Sequence, residues 1–217
     1  MIKVLHFADF HLGMENYGRL DATTGLSSRV GDFLRTLDAI VDAALGIPVD
    51  AVLFAGDAYR SRDPSLTYQR EFSRRIGKLA SSGIDVLLLV GNHDLPNAIG
   101  RATPMDIYET LAVERIHVFS RPETRTIRTR GGPLQVVALP WVRREGLLTA
   151  ESLKTKSSDE VDLETNEVLG LWIDQQIALL DRDVPAILLA HATIAGATYG
   201  SERKVLLGRD LVLTGST

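Results

Sequence analysis

Apolar residues along the chain follow two different periodicities. Four short uninterrupted runs, Val4 to Ala8, Ala51 to Ala55, Val86 to Val90 and Ala186 to Ala190, are rich in Val, Leu or Ile and too short for helices. Continuous rather than alternating hydrophobicity predicts strands buried on both faces. Between the runs the spacing changes. Val30, Phe33, Leu34, Leu37, Ile40, Val41 and Ala44 recur every three or four residues, which predicts an amphipathic helix ending near Gly46-Ile47-Pro48. Pro64 to Leu79 predicts a second helix, closed by the Ser82-Gly83 turn, and Leu169, Trp172, Ile173, Gln176, Ile177 and Leu180 mark a third. Residues 115–140 read differently: Val118-Phe119, Thr124 to Thr129 and Leu134 to Leu139 are strand-like, with Gly131-Gly132-Pro133 as a hairpin turn. Lys154 to Asp159 is polar and reads as a loop. Strand–helix alternation followed by a hairpin region implies a mixed α/β domain of layered sheets and helices. The chain contains no internal repeat and no low-complexity tract.

Composition narrows the function classes. A chain of 217 residues fits one domain, or one domain with a small annex, and can bury about 70% of its unfolded surface. It has no cysteine, which excludes disulfide scaffolds, zinc fingers, iron–sulfur clusters and cysteine nucleophiles. With 45% hydrophobic and 24% charged residues and a mean hydropathy of +0.04 it is an ordinary globular chain. The net charge of −4 excludes a globally basic nucleic-acid coat protein but not a local basic patch. Met1 leads straight into the strand-like run Ile2 to Phe7 with no charged leader, and runs such as Val86 to Val90 are far shorter than a membrane span. The expected location is the cytoplasm.

The informative residues follow the predicted strands. Asp9-Phe10-His11 comes after the first, Gly56-Asp57 after the second, Gly91-Asn92-His93-Asp94 after the third and His191 after the fourth. In open α/β sheets ligands bind outside the carboxyl ends of the strands, so parallel strands would deliver all of these to one rim. Carboxylate, amide oxygen and imidazole without thiolate form a donor set for hard or borderline cations. One carboxylate can bridge two cations about 3.5–4 Å apart, which can clamp a phosphoester while activating water for in-line attack. Asp57 is the candidate bridge, with Asp9 and His11 on one cation and Asn92 and His191 on the other. His93 neighbours a ligand and is the candidate proton donor to the leaving oxygen, or a stabiliser of charge on the phosphorane, with Asp94 orienting its ring. Gly56 and Gly91 let the chain turn sharply and leave room for substrate. Taken singly, Asp-x-His and Gly-Asp are common in solvated loops and turns, and His191 could be a hydrogen-bonded core histidine. Gly-Asn-His-Asp after a buried strand is much more specific, and the ordered combination of all four points to a dinuclear metal site.

These residues, in this order, resemble the metallophosphoesterase (calcineurin-like) superfamily, whose pattern runs D-x-H, G-D, G-N-H-D/E, H and G-H-x-H. His6 to Gly13, Asp50 to Asp57, Gly91 to Asp94 and Leu189-Ala190-His191 are most similar to its SbcD-type branch of DNA double-strand-break repair nucleases. The resemblance implies a four-layer sandwich of two mixed β-sheets flanked by helices, with two manganese ions. It also implies exonuclease action on duplex ends, endonuclease action near hairpins or blocked ends, dimerisation through helices and an SMC-like ATPase partner, SbcC. In that family the positions matching Asp9, His11, Asp57, Asn92 and His191 are metal ligands and the one matching His93 is catalytic. The closing G-H-x-H does not occur before Thr217, so residues 1–217 read as a nuclease domain incomplete at its C-terminus, lacking the capping domain and the ATPase-binding region. Each metal is then short of a ligand, and weak metal affinity with little or no nuclease activity is expected of this segment alone. Arg60 stands where many relatives carry a histidine; a guanidinium cannot titrate as an acid or base, so phosphate contact is its expected role.

Of the basic residues, 19 are Arg and 5 are Lys. Arg60, Arg62, Arg70, Arg74 and Arg75 flank the second motif, and Arg121, Arg125, Arg128 and Arg130 crowd the predicted hairpin. They would serve either as a DNA track, since the planar fork suits phosphate, or as ordinary surface charge. Leu66 to Leu79 and Thr103 to Leu111 could likewise present a dimer face or pack in the core. Beside the nuclease stand two other readings: a general metallophosphoesterase acting on phosphoproteins or small phosphoesters, and a non-catalytic scaffold of the same fold.

Overall fold

Strands β1 (Val4–Phe7), β2 (Ala51–Phe54), β3 (Asp85–Leu89) and β4 (Ile116–Phe119) pair in sequence order, and each pair is parallel. The computed structural model describes residues 1–22, 25–96, 98, 100–194 and 212–213. Parallel neighbours need long crossovers, here supplied by helices α1 (Ser28–Gly46), α2 (Leu66–Ser81) and the short α3 (Asp106–Thr110). Serine hydroxyls start the two long helices: Ser27 accepts from the Arg29 amide and Ser65 from the Tyr68 amide. A second sheet has the order β5 (Glu123–Thr129), β6 (Gly132–Leu139), β7 (Ala186–Ala190), with β5–β6 an antiparallel hairpin and β6–β7 parallel. Helices α4 (Ala150–Thr155) and α5 (Ser158–Ala178) lie between β6 and β7 in the chain, and a small parallel pair, β8 (Thr193–Ile194) with β9 (Val212–Leu213), completes the described elements.

The core divides these elements into four layers. Leu34, Leu37 and Val41 of α1 and Phe72, Ile76 and Leu79 of α2 bury against Val52, Phe54, Val86 and Leu88 of the first sheet. The opposite face of that sheet, Leu53, Leu87, Leu89 and Phe119, packs on Ile127, Leu134, Val136 and Ala138 of the second. Leu139 then meets Leu169 of α5, with Trp172 and Ile173 partly buried beside them. The expected four-layer α/β sandwich is present, although among the described strands the first sheet is wholly parallel and only the second is mixed. No helix among the described residues is long and apolar enough to cross a membrane.

Two local expectations need correction. Burial on both faces holds for β2 and β3, the inner strands, but among the described residues β1 and β7 are the outer strands of their sheets, and Val4 and Leu188 are exposed. The polar stretch from Lys154 to Asp159 is not a loop. Helix α4 runs to Thr155, and Ser157 caps α5: its hydroxyl accepts from the Glu160 amide while the Glu160 carboxylate accepts from the Ser157 amide. The polar residues there serve as helix ends.

Helices α1 and α2 are tied by charge as well as by apolar packing. Arg75 donates to both carboxylate oxygens of Asp38 at 2.7 and 2.8 Å and to Glu71 at 3.1 Å, while Arg70 and Arg74 also approach Glu71. Burial works against a charge on Glu71, but hydrogen bonds from Arg70 and Arg75 and the attraction of Arg74 outweigh it and hold the carboxyl below its ordinary range. Stability from such a carboxylate is full above its unfolded-state pKa and is lost as pH falls through the lower folded-state value. Glu71→Gln is therefore expected to lower stability by about 1–3 kcal/mol at pH 7. In urea unfolding the difference should close below about pH 4; a pH-independent difference would contradict the charge tie.

Candidate metal centre

Loops after β1, β2, β3 and β7 meet at one rim. The loop after β1 lies along the loop after β2: the Asp9 amide donates to the Gly56 carbonyl at 3.0 Å and the His11 amide to the Asp57 carbonyl at 2.9 Å. The third loop is joined by one side chain. The fully buried Asp94 carboxylate accepts from the amides of Asp57 at 2.8 Å, Ala58 at 3.0 Å and Gly91 at 3.0 Å. The His93 amide in turn donates to Asp57 Oδ1 at 2.9 Å. Burial pushes Asp94 up to about 6, against the lowering effect of those three amides, with the neighbouring Asp57 charge adding to the rise.

The rim holds its side chains in costly backbone conformations. Asp9, His11 and Asp57 have φ of 53°, 48° and 61°, the left-handed region that L-residues other than glycine seldom occupy. Glycine is required at two neighbours. Gly56 has φ +99° and a Cβ there would fall 2.9 Å from Gly91 Cα; a Cβ on Gly91 would overlap the Asp57 carboxylate and amide.

Six of the seven sequence-predicted residues present donor atoms to this space. His11 Nε2 lies 3.6 Å from Asp57 Oδ2 and 4.0 Å from Asp9 Oδ1; His191 Nε2 lies 3.7 Å from Asp57 Oδ1 and 3.1 Å from Asn92 Oδ1. Two groups have ligand atoms within 4.8 Å of one another: His11, Asp57 and His93, and Asp9, Asp57 and His191. Asp57 belongs to both, as a bridging carboxylate must. Asp9, 4.0 Å from His11, also falls in the group of His191, and His93 joins the group of His11.

Proton placement follows from the outer ring nitrogens. His191 Nδ1 lies 2.6 Å from the Ala55 carbonyl and His93 Nδ1 lies 3.0 Å from the Arg60 carbonyl. A carbonyl only accepts, so each Nδ1 carries a proton, which turns each Nε2 toward the shared space. Burial lowers His11 below the ordinary histidine range, with His93 and Arg60 contributing and Asp57 and Asp9 opposing. His11 Nδ1 is buried without a hydrogen-bond partner. Oxygens of two carboxylates and an amide thus converge with imidazole nitrogens, a donor set that divalent cations suit.

Asp94 is the residue whose role changes. It does not orient the His93 ring; the Arg60 carbonyl does, and Asp94 is spent on three backbone amides. Arg60 thus serves the site through its backbone carbonyl, and its positive charge acts on His11 as well. Several arginines of the supposed DNA track are also committed elsewhere: Arg70, Arg74 and Arg75 to Glu71, Arg125 to Glu123 and the Phe119 ring, and Arg130 to the Val49 carbonyl. One neighbour went unpredicted. Trp141 follows β6, donates its amide to the Val90 carbonyl at 2.9 Å, and sets its ring edge-on to His191 with centroids 6.0 Å apart. An aromatic two residues past the strand-like run Leu134 to Leu139 was a readable signal by the same strand-end rule.

Comparison with known proteins decides the family. A profile described as calcineurin-like phosphoesterase matches residues 2–215. The chain belongs to that family. Similar curated proteins include the SbcD subunit of the SbcCD nuclease from Rhodobacter capsulatus, 26% identical over 96% of this chain and 53% of the relative. Its counterpart from Bacillus subtilis is 25% identical over 95% of this chain and 51% of the relative. The DNA double-strand break repair protein Mre11 of Halobacterium salinarum is 34% identical over 52% of this chain and 27% of the relative. The chain spans about half the length of the SbcD proteins it matches. Calcineurin-like phosphoesterases depend on divalent metal, and the donor set at this rim fits that requirement.

The Asp94 geometry yields a test. Asp94→Asn replaces one carboxylate oxygen by a donor facing backbone amides, so it is expected to lower stability by about 1–3 kcal/mol and to weaken manganese binding roughly 10–100-fold. Thermal unfolding and calorimetric titration measure the two effects. Slower turnover with unchanged stability and metal affinity would return Asp94 to the ring-orienting role.

Proposed function

We propose that this chain is the nuclease core of a manganese-dependent DNA nuclease subunit in an SbcCD-type break-repair complex, acting on duplex ends and on hairpin or single-stranded regions. The observation that carries the hydrolytic half of the proposal is Asp57, shared by two donor groups with His93 beside one of them. The relatives carry the DNA half: proteins named as SbcCD nuclease subunits are similar along nearly the whole chain. Partnership with an SMC-like ATPase such as SbcC, a homodimer and work at chromosomal DNA in the cytoplasm belong to the same proposal. Leu66 on α2, Ile107 on α3 and Leu111 just after it are exposed apolar residues that a dimer contact would cover. The chain spans about half the length of the SbcD relatives, so metal affinity and activity are proposed for the whole protein.

Asp57, Asp9, His11, Asn92 and His191 would hold two divalent cations, which when bound neutralise the phosphodiester and make water a nucleophile at neutral pH. The chain's residues do the rest. Asp57 spans both groups and fixes their separation. His93 has Nδ1 tied to the Arg60 carbonyl, so proton traffic runs through Nε2. As water adds to phosphorus and the P–O bond to the leaving oxygen breaks, protonated His93 gives its Nε2 proton to that oxygen. Asp94 keeps both loops in register during the exchange.

The deciding experiment compares substrates with manganese present: linear duplex DNA, hairpin DNA, bis(p-nitrophenyl) phosphate and p-nitrophenyl phosphate. DNA and the diester should be cleaved and the monoester spared, with Asp57→Asn removing activity by about 10³-fold or more and His93→Ala by about 10²–10⁴-fold. Efficient monoester hydrolysis without DNA cleavage would replace the nuclease by a general phosphatase; metal binding without any hydrolysis by the whole protein would favour a scaffold.

A further inference from the structure

Beside the metal centre lies a second cavity, of about 330 Å³, at the same carboxyl edge of the sheets. One wall follows directly from the Gly-Asn-His-Asp loop at Leu95, a second is the turn after β4 at Pro122, and a third is Trp141. Trp141 is common to both spaces: it lines the cavity and its ring meets His191. An aromatic face among apolar neighbours suits a flat, weakly polar ring system. The rim carries the opposite character. Arg101 and Arg121 line the cavity, are exposed, and make no ion pair among the described residues, in contrast to Arg70, Arg74 and Arg75. Glu145, also on the rim, offers an acceptor for an amino group.

We propose that this cavity takes the unpaired base of the nucleotide adjoining the phosphodiester held at Asp57, with the base stacked on Trp141 and the flanking phosphate on Arg101 and Arg121. The inference rests on the nuclease reading above and adds to it a substrate preference. The volume is at the low end for small-molecule sites, enough for one nucleoside and too small for a base pair. A paired nucleotide must therefore leave its stack to enter, so unpaired or frayed ends should be favoured over closed duplex. Base–aromatic stacking is sequence-tolerant, because every base has a π face; no sequence preference should accompany the site.

The test begins with binding. In a Trp172→Phe background Trp141 is the sole tryptophan, and deoxyadenosine monophosphate should quench its fluorescence while 2-deoxyribose 5-phosphate should not. By calorimetry with manganese present the nucleotide should bind about tenfold more tightly than the sugar phosphate. Trp141→Ala should abolish that gap and Trp141→Phe should retain most of it. A single-stranded oligonucleotide should bind more tightly than the same strand with abasic sites throughout, and Arg121→Ala should weaken the oligonucleotide without removing quenching by the mononucleotide. Equal affinity for nucleotide and sugar phosphate, or a gap untouched by Trp141→Ala, overturns the base pocket. Quenching by the mononucleotide with no distinction between intact and abasic strands assigns the cavity to a free nucleotide and overturns the strand proposal. In cleavage assays of the whole protein, Trp141→Ala should raise KM for oligonucleotides about tenfold and raise KM for the same strand with abasic sites throughout much less. Equal loss on both substrates would make Trp141 a positioning residue for His191 and overturn the pocket. Failure of the nuclease reading looks different: phosphodiesters would go uncleaved by the unaltered whole protein.

Discussion

One buried carboxylate holds the metal rim together. Asp94 sits five residues past the end of β3 and accepts from amides on both sides of a gap, Gly91 in its own loop and Asp57 and Ala58 in the loop after β2. Burying a charge is expensive unless every lone pair is answered, and here three amides answer it. The bond that clamps the loops also sets the Asp57 backbone, hence the direction of its carboxylate. His11 depends on the same residue, because its amide donates to the Asp57 carbonyl. Remove the clamp and two of the three left-handed residues lose the neighbours that enforce their conformation. Each such conformation costs about 1–3 kcal/mol and persists only where the surroundings over-determine it.

That coupling explains the two site glycines. Gly91 is the point where the β3 loop passes over Asp57, and the Asp57 carboxylate and amide occupy the place where a Cβ would stand. The close approach lets Asp94 reach across and lets the His93 amide bond Asp57 Oδ1. The compact Gly-Asn-His-Asp segment thus contributes backbone, scaffold carboxylate, an amide oxygen facing His191 and an imidazole, all within four residues. Its specificity as a sequence signal has this physical source.

Much of the architecture could be read from the chain because the inner strands and the helices obey clean periodicities. The runs at Ala51 to Ala55 and Val86 to Val90 are continuous because sheets and helices cover both faces, and Leu34, Leu37 and Val41 face one core. The misreadings arise where one local pattern has two physical uses. Val4 to Ala8 and Ala186 to Ala190 look like inner strands, yet edge position depends on the order of strands in space, which hydrophobicity does not encode. Lys154 to Asp159 is as polar as a loop because helix caps and loops draw on the same residues. At the site, residue types and strand ends were enough to gather Asp9, His11, Asp57, Asn92, His93 and His191 at one rim. What they could not reveal was which partner each takes: Asp94 adjoins His93 in the chain but bonds backbone, and the His93 ring instead finds a carbonyl 33 residues away.

Charge shows the same division between composition and placement. A net charge of −4 says nothing against phosphate binding, since the acidic groups at the rim are aimed at cations and the guanidinium groups are distributed by task. Arg70, Arg74 and Arg75 gather on Glu71 and Asp38, and Arg125 pairs with Glu123 over the Phe119 ring, so much of what looks like a basic track is internal fastening. Arg101 and Arg121 differ because they face the cavity next to His191 with no carboxylate paired to them among the described residues. A free guanidinium beside a site that concentrates carboxylates would be drawn into it unless geometry kept it outside. Trp141 stands between the two, its ring edge toward His191. Under the proposed reading the separation would leave one space for cations and another for the anionic, aromatic remainder of a nucleotide, so opposite charges could work side by side without neutralising each other.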